Sequence, residues 1–287
     1  MNILKSIYIS TYMMAATAIT VIAARELWNS HDYVTWGGVL LVTAPFVLVL
    51  SWIMIAKTTA RTSARFPVLN ALGILGVGLS IWGYVQGAGV TAPVLALIGW
   101  VGFLGYAYWY SSFNDRGSSQ LTVGNKLPDF ELKDTGGNVL TCASLTDKPT
   151  IWIFYRGNWC PLCMAQIKEI VSQYKELQEM GVRIALISPQ PHKFTQSLAR
   201  KFDVPFDFLT DEGNRAARIL GIDSPNGIPM GMQALGYDSE TVLPTVIITD
   251  VGGQILWAHE TDNYRVRPDP DVYLAVLREH GIEATVP

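Results

Sequence analysis

Two cysteines three positions apart, in Cys160-Pro161-Leu162-Cys163, carry the spacing best suited to covalent chemistry in this chain. Residues so placed on a helical turn lie roughly 5–6 Å from one another, inside the ~4.4–6.8 Å Cα range of an unstrained disulfide. The apolar run Thr150 to Tyr155 reads as a buried strand, and Pro161 suits the first turn of a following helix, where its missing amide hydrogen would go unused. A sulfur at that junction meets unpaired amide donors, which favour the thiolate, the form that attacks. Cys160 occupies the mouth of the helix and Cys163 follows one turn on. Arg156, four residues upstream, is either a further source of positive charge or a solvated loop residue, and Trp159 directly precedes the pair.

The same spacing also supplies half of a zinc site, but four ligands are needed. Only Cys142 and four scattered histidines remain, none at a paired spacing, so redox chemistry is the reading and no metal or other cofactor is expected. Cys142 reads as a small, partly buried loop residue, and His192, His259 and His280 as surface or strand-end residues. A second element bears on the dithiol: Leu243-Pro244-Thr245 opens an apolar strand with proline. A cis bond at Pro244 would present backbone to the sulfurs, and a trans proline at a strand entrance is the other reading.

The elements that must hold these residues occupy only the rear of the chain. Of 287 residues 49% are hydrophobic and 16% charged, with a net charge of −3, which excludes a disordered or nucleic-acid-coating protein. Three cysteines are too few for a stapled secreted scaffold. Residues 1–114 contain five basic and two acidic residues, a net +3, and the remainder carries −6. Four uncharged stretches, Ile7 to Ala24, Val34 to Ala56, Phe66 to Val85 and Thr91 to Tyr110, approach the ~20 residues of a spanning helix, and mean hydropathy over the chain is +0.25. Residues 1–114 are thus expected to form a bundle of four transmembrane helices in a lipid bilayer, with a polar linker near Ser111 to Gln120. Gly99, Gly102 and Gly105 would permit close helix contact, at a spacing that departs from small-xxx-small. The apolar stretches contain no cysteine and no charged residue, so anchoring is the expected role of this part. A secretory signal is disfavoured at the first stretch, because its apolar run exceeds the usual core and Ile22 is a poor cleavage-site residue.

Residues 121–287 alternate short β-rich and helical runs, the pattern of an α/β layer fold. Strands are expected at Asp129 to Leu132, Val139 to Thr141, Thr150 to Tyr155, Val182 to Ser188, Phe206 to Leu209, Pro244 to Thr249 and Gln254 to His259. Helices are expected at Pro161 to Met180, Lys193 to Phe202, Asp211 to Leu220 with an acidic cap, and Asp269 to His280. The order suits a thioredoxin-like domain.

The runs Val123-Gly124-Asn125-Lys126-Leu127-Pro128-Asp129-Phe130-Glu131-Leu132 and Phe154-Tyr155-Arg156-Gly157-Asn158-Trp159-Cys160-Pro161-Leu162-Cys163 resemble the redoxin domains of the alkyl hydroperoxide reductase and thiol-specific antioxidant (peroxiredoxin-like) family. Ile187-Ser188-Pro189-Gln190, Phe208-Leu209-Thr210-Asp211 and the Pro244 to Asp250 strand extend the likeness over residues 121 to about 282. The resemblance implies a thioredoxin fold, an attacking thiol at Cys160, a resolving thiol at Cys163 and a cis proline at Pro244. This chain departs from the pattern at Ile153 and Gly157, where peroxiredoxins place proline and a hydroxyl residue, and at Phe154, where thioredoxins carry a buried acid.

A membrane-anchored thiol-disulfide oxidoreductase or thiol peroxidase follows, reducing hydroperoxides or protein disulfides. It would draw on an external donor such as thioredoxin or glutathione, because no nucleotide-binding loop is present and no nucleic acid is called for. A redox-sensing interaction module, switching partners without significant turnover, is the alternative. Lys5, Lys57, Arg61 and Arg65 lie on one side of the four stretches against Arg25 on the other, which puts the rear domain on the cytoplasmic side. A reporter enzyme fused after Pro287 is therefore expected to be active inside the cell; activity confined to the outside would reverse the topology.

Overall fold

The computed structural model describes residues 2–113 and 119–283. It separates into two compact units, Ile3–Lys57 with Thr62–Ser112, and Phe113–Pro287 with Thr58–Arg61 and Asn2. The middle of the expected linker, residues 114–118, lies outside the described residues.

The first unit consists of helices α1 (Asn2–Ser30), α2 (Thr35–Ala56), α3 (Pro67–Val85) and α4 (Thr91–Leu104), the last continuing through a π-helical turn at Gly105–Tyr110. All four are long and apolar enough to cross a membrane by length and composition. The first helix runs well beyond the expected Ile7 to Ala24 and takes in Lys5, Arg25 and Glu26 at the two ends of its apolar stretch. The glycines of the fourth helix are approach points: a Cβ at Gly102 would fall 2.1 Å from the Tyr12 ring, and one at Gly99 would fall 2.6 Å from Thr43 Cγ2. Tyr12 donates its hydroxyl to Gly99 O at 2.8 Å, and Tyr8 donates to Gly102 O. In lipid such polar groups must find partners within the protein.

The second unit is built on a seven-stranded sheet of order β2-β1-β5-β4-β3-β8-β9. These strands are β1 (Glu131–Lys133), β2 (Val139–Thr141), β3 (Thr150–Phe154), β4 (Arg183–Ser188), β5 (Asp207–Thr210), β8 (Thr245–Thr249) and β9 (Ile255–Glu260), while β6 (Asp223–Ser224) and β7 (Thr241–Val242) form a separate pair. β3, β4 and β5 are parallel, and β8 lies antiparallel to β3 with Phe154 opposite Thr245. Every residue of β3 and β8 is buried, as expected where both faces of a sheet are covered and the sequence runs apolar without alternation. Trp152, Phe154, Ala185, Ile187, Leu209 and Ile247 turn one way into a core shared with Phe130, Leu220 and Ile222. Their neighbours Ile151, Ile153 and Leu186 turn the other way, and α5 (Pro161–Ser172) and α9 (Pro270–Glu279) bury Ile167, Ile170, Tyr273 and Leu277.

Two expected helices are broken. The run Pro161 to Met180 divides at Gln173 into α5 and α6 (Tyr174–Glu179). Ser172 returns its hydroxyl to Glu169 O at 2.6 Å, a back-bond that bends helices, and Gln173 donates to Asp271 Oδ1 at 2.7 Å instead of continuing the helix face. The run Asp211 to Leu220 becomes a 3-10 turn at Glu212–Asn214 and then α8 (Arg215–Leu220), because Gly213 and Asn214 adopt left-handed φ of 67° and 57°. Asp211 still caps: its two carboxylate oxygens accept from Ala216 N and Ala217 N, both at 2.9 Å. Of the two remaining helices, α7 (His192–Phe202) begins one residue ahead of expectation and α9 begins one residue after it. Asp211→Ala is expected to destabilise the second unit by about 1–2 kcal/mol, the typical loss of a helix cap, and to speed amide exchange at Ala216 and Ala217; unchanged protection at both amides would show that the carboxylate contributes nothing.

Candidate active site

Cys160 ends the loop that leaves β3 and is itself the N-cap of α5, with extended φ and ψ of −82° and 109°. Its sulfur accepts the backbone N–H of Cys163 at 3.4 Å, a position that serine or aspartate oxygens usually fill. Pro161 stands in the first helical turn, where the absent N–H leaves no partner unmet. Both sulfurs are buried, Cys160 at 2% and Cys163 at 0% exposure, and both are free thiols joined by a hydrogen bond.

A residue that sequence reasoning missed faces them. Arg267 Nη2 lies 3.3 Å from Cys163 Sγ and 3.9 Å from Cys160 Sγ. Its Nη1 donates to Gln166 Oε1 at 2.7 Å and its Nε to Tyr264 O at 3.2 Å. Gln166, one turn beyond Cys163 on α5, passes its own N–H to Tyr273 Oη at 3.0 Å on α9, so the guanidinium is fixed from two helices. Arg267 stands just ahead of α9 and 104 positions from Cys163, and only the fold brings the two together.

Arg156 takes a different place from the one its spacing suggests. Its guanidinium stacks 4.7 Å from the Trp159 ring centroid and 5.5 Å from that of Tyr264, and donates to Gly227 O. The direct cation at the sulfurs is Arg267, and Arg156 acts on them from further off. Trp159 folds back over Gly157, whose φ of 141° and missing Cβ are both required: a Cβ there would lie 2.7 Å from Trp159 Nε1. That indole N–H is buried and has no hydrogen-bond partner among the described residues. Asn158 between them is pinned, its N–H donating to Gln190 Oε1 at 2.8 Å and its Oδ1 accepting from Tyr237 Oη. Gln190 in turn donates to Tyr155 Oη at 3.1 Å and Thr195 Oγ1 at 3.2 Å. Pro244 sits one residue before the Phe154–Thr245 pair, at the same end of the sheet as this loop. No cis peptide occurs among the described residues, so the Leu243–Pro244 bond is trans and the cis proline implied by the resemblance is corrected; Leu243 N–H bonds Ile222 O at 2.8 Å on the way into β8.

The electrostatics of the two sulfurs are coupled. Burial, then the hydrogen bond and negative charge of Cys163, push the Cys160 thiol up, against the pull of Arg267 and Arg156. At Cys163 burial acts the same way, but the hydrogen bond from Cys160, the charge of Arg267, the Arg156 backbone N–H and the Arg156 charge outweigh it and hold the thiol down to about 5. The two sulfurs titrate as a pair, and the guanidinium of Arg267 stands nearer Cys163, at 3.3 Å against 3.9 Å, and so favours negative charge there. Cys142 lies outside this arrangement, its thiol pushed up to about 12 by burial and by Asp129. Among the described residues no group of three or more histidine, cysteine or acidic side chains could hold a metal.

Strand, loop, N-capping thiol and following helix define a thiol-redox domain of thioredoxin type. Residues 123–258 match the family model described as AhpC/TSA. The chain is 28% identical to the chloroplastic peroxiredoxin Q of Sedum lineare over 106 residues, 37% of this chain and 57% of the relative. It is 28% identical to that of Populus jackii over 137 residues, 47% and 64% of the two chains, and so spans less than two thirds of either relative. Among solved structures, the peroxidoxin BcpB of Mycobacterium tuberculosis aligns at 22% identity and TM-score 0.47, covering 56% of this chain and 98% of the other.

One thiolate per chain is expected near neutrality. In a Cys142→Ser background the thiolate absorbance at 240 nm should persist from pH 8 to pH 6 and fade as pH drops through about 5. Because the folded value is depressed, the stability that this ionisation contributes to the reduced domain is complete above the unfolded thiol value and lost as pH falls to about 5. Absorbance that appears only above pH 8 would overturn the charge assignment.

Proposed function

We propose that the chain is a thiol-dependent peroxidase or disulfide oxidoreductase working through Cys160 and Cys163, with the four apolar helices anchoring it in a membrane and the redoxin domain on the cytoplasmic side. The observation that carries the reading is a pair of buried sulfurs beneath the Arg267 guanidinium, at 3.3 Å and 3.9 Å from it. Cys160 is the attacking atom. When substrate arrives its proton passes to Cys163, and the new thiolate keeps the Cys163 N–H at 3.4 Å and Arg267 at 3.9 Å. The loop of Arg156 to Trp159 provides the rim, and the unmet indole N–H of Trp159 is the donor available to a substrate oxygen.

With a hydroperoxide, the Cys160 thiolate attacks the terminal oxygen, the S–O bond forms as the O–O bond breaks, and the departing oxygen takes up a proton as alcohol or water. Cys163 then displaces water from the sulfenic acid to close the disulfide. With a protein disulfide, Cys160 forms a mixed disulfide that Cys163 resolves. An external thiol donor such as thioredoxin or glutathione restores the dithiol in either case. The AhpC/TSA match over residues 123–258 and the peroxiredoxin Q relatives support the peroxide branch.

Stopped-flow consumption of hydrogen peroxide tests the reading. Cys160→Ser is expected to fall to background, and Cys163→Ser to consume one equivalent and accumulate a sulfenic acid trapped by dimedone. Full activity in Cys160→Ser would remove the proposed mechanism.

A further inference from the structure

Within the second unit, Arg61 touches the two elements that brace Arg267. It follows α2 in the chain, yet the segment Thr58–Arg61 belongs to this unit. Its guanidinium pairs with Glu169 on α5 and with Asp269 at the head of α9, and Nη2 lies 3.4 Å from Pro268 O. Pro268 and Asp269 directly follow Arg267, and Glu169 stands one turn beyond Gln166, whose Oε1 receives Arg267 Nη1 at 2.7 Å. Burial keeps the hydroxyl of Tyr273, the partner of Gln166, neutral, and the charges of Arg61 and Glu169 reach it as well. Asp269 is the N-cap of α9 but makes no side-chain cap hydrogen bond, so its carboxylate is turned to Arg61 and not to its own helix.

Glu169 is the only acidic residue of α5, and Asp269 is the acidic residue nearest Arg267 in sequence. An arginine offered both a thiolate and a free carboxylate is drawn to the carboxylate, whose paired oxygens match the guanidinium fork. Arg267 nevertheless keeps Nη2 on the sulfurs, at 3.3 Å from Cys163 and 3.9 Å from Cys160, and among the described residues no carboxylate pairs with it. The two competitors are already occupied by Arg61. Both pairs are partly exposed, and such pairs add little to stability, so their bearing on the site is through charge. Arg156 from the loop after β3, Tyr155 at the end of that strand and Tyr273 from α9 also act on the sulfurs or on Arg267, and none of them competes for a cation.

We infer that Arg61 is a positioning residue of the redox site: by occupying Glu169 and Asp269 it keeps the Arg267 guanidinium on Cys163 and Cys160. The inference rests on the dithiol reading above and holds for hydroperoxide and protein disulfide alike. It gives the connection ahead of α3 a task besides joining two helices, and residues 121–287 alone would lack this cation.

The test uses the full chain with Cys142→Ser in detergent micelles and reads the midpoint of the thiolate absorbance at 240 nm against pH. Arg61→Met is expected to raise the midpoint by about one pH unit, a tenfold loss of thiol acidity, as Arg267 turns to the freed carboxylates. Arg61→Lys, which keeps the charge without the fork, should move it less. Arg61→Met combined with Glu169→Gln and Asp269→Asn removes cation and competitors together, and is expected to return the midpoint to within about twofold in acidity of the parent. An unchanged midpoint in a folded Arg61→Met protein would overturn the inference. So would a triple variant that stays shifted, because two amides would not mend a purely structural loss. If the Met variant fails to fold, Arg61→Gln, which keeps a donor but no charge, is read the same way: a raised midpoint supports the inference and an unchanged one overturns it. Peroxide consumption by the parent is scored separately. Its absence with shift and rescue intact would fell the peroxidase reading alone, and turnover without the shift would fell this inference alone.

Discussion

A guanidinium that meets no carboxylate among the described residues, buried against two sulfurs, is the constraint around which the redoxin domain is organised. Removing a cation from water is tolerable only where negative charge or several good acceptors receive it. Arg267 receives a carbonyl from its own loop, an amide oxygen from α5 and the thiol pair at the head of the same helix. Each of these must be held in register, and the surrounding elements do so: β3 delivers the loop, α5 carries both sulfurs and Gln166 on one face, and α9 braces Gln166 through Tyr273. Loss of any one would leave the guanidinium short of an acceptor, which couples the geometry of the chemistry to the packing of the domain.

The same constraint draws negative charge towards the inner sulfur. Helix-start amides alone favour Cys160, which accepts the Cys163 N–H. The cation stands closer to Cys163, at 3.3 Å against 3.9 Å, and two adjacent thiols in a low-dielectric pocket cannot both ionise. In the proposed mechanism the outer thiol would donate its hydrogen bond to the inner thiolate, and attack at Cys160 would need only a proton transfer between the two sulfurs.

Local chemistry could be read from sequence wherever neighbours in the chain are neighbours in space. The apolar run of β3, the proline of α5 and the CxxC between them determine their own arrangement, and β3, β2 and α7 appear within a residue of expectation. Arg156 was visible for the same reason, but its role was not, because Gly227, Trp159 and Tyr264 decide where its side chain goes. Arg267 lay beyond such reasoning altogether. Nothing in Tyr264-Arg265-Val266-Arg267 marks one arginine over the other, and its partners are more than a hundred residues away. The breaks at Gln173 and Asn214 were hidden in the same way, since each depends on a polar side chain finding a tertiary or left-handed alternative to the helix.

The departures from the peroxiredoxin pattern become consistent once the side chains are in place. Gly157 stands where that family keeps a hydroxyl residue, and the space released by its missing Cβ is filled by the indole edge of Trp159. The N–H on that edge is a donor without a partner among the described residues, buried beside the loop that ends at Cys160. An unpaired buried donor costs about 1–3 kcal/mol. The ring is nevertheless held there from both sides, by the Arg156 guanidinium at 4.7 Å on its face and by the pinned Asn158 backbone at its root. Restoring the hydroxyl by a Gly157→Thr change would not recover the family pattern, because a Cβ at φ of 141° and 2.7 Å from Nε1 would expel the ring and with it the stacking that orders Arg156. The glycine and the tryptophan are therefore a single substitution in physical terms: one donor withdrawn, another of different reach brought in, and neither workable without its partner.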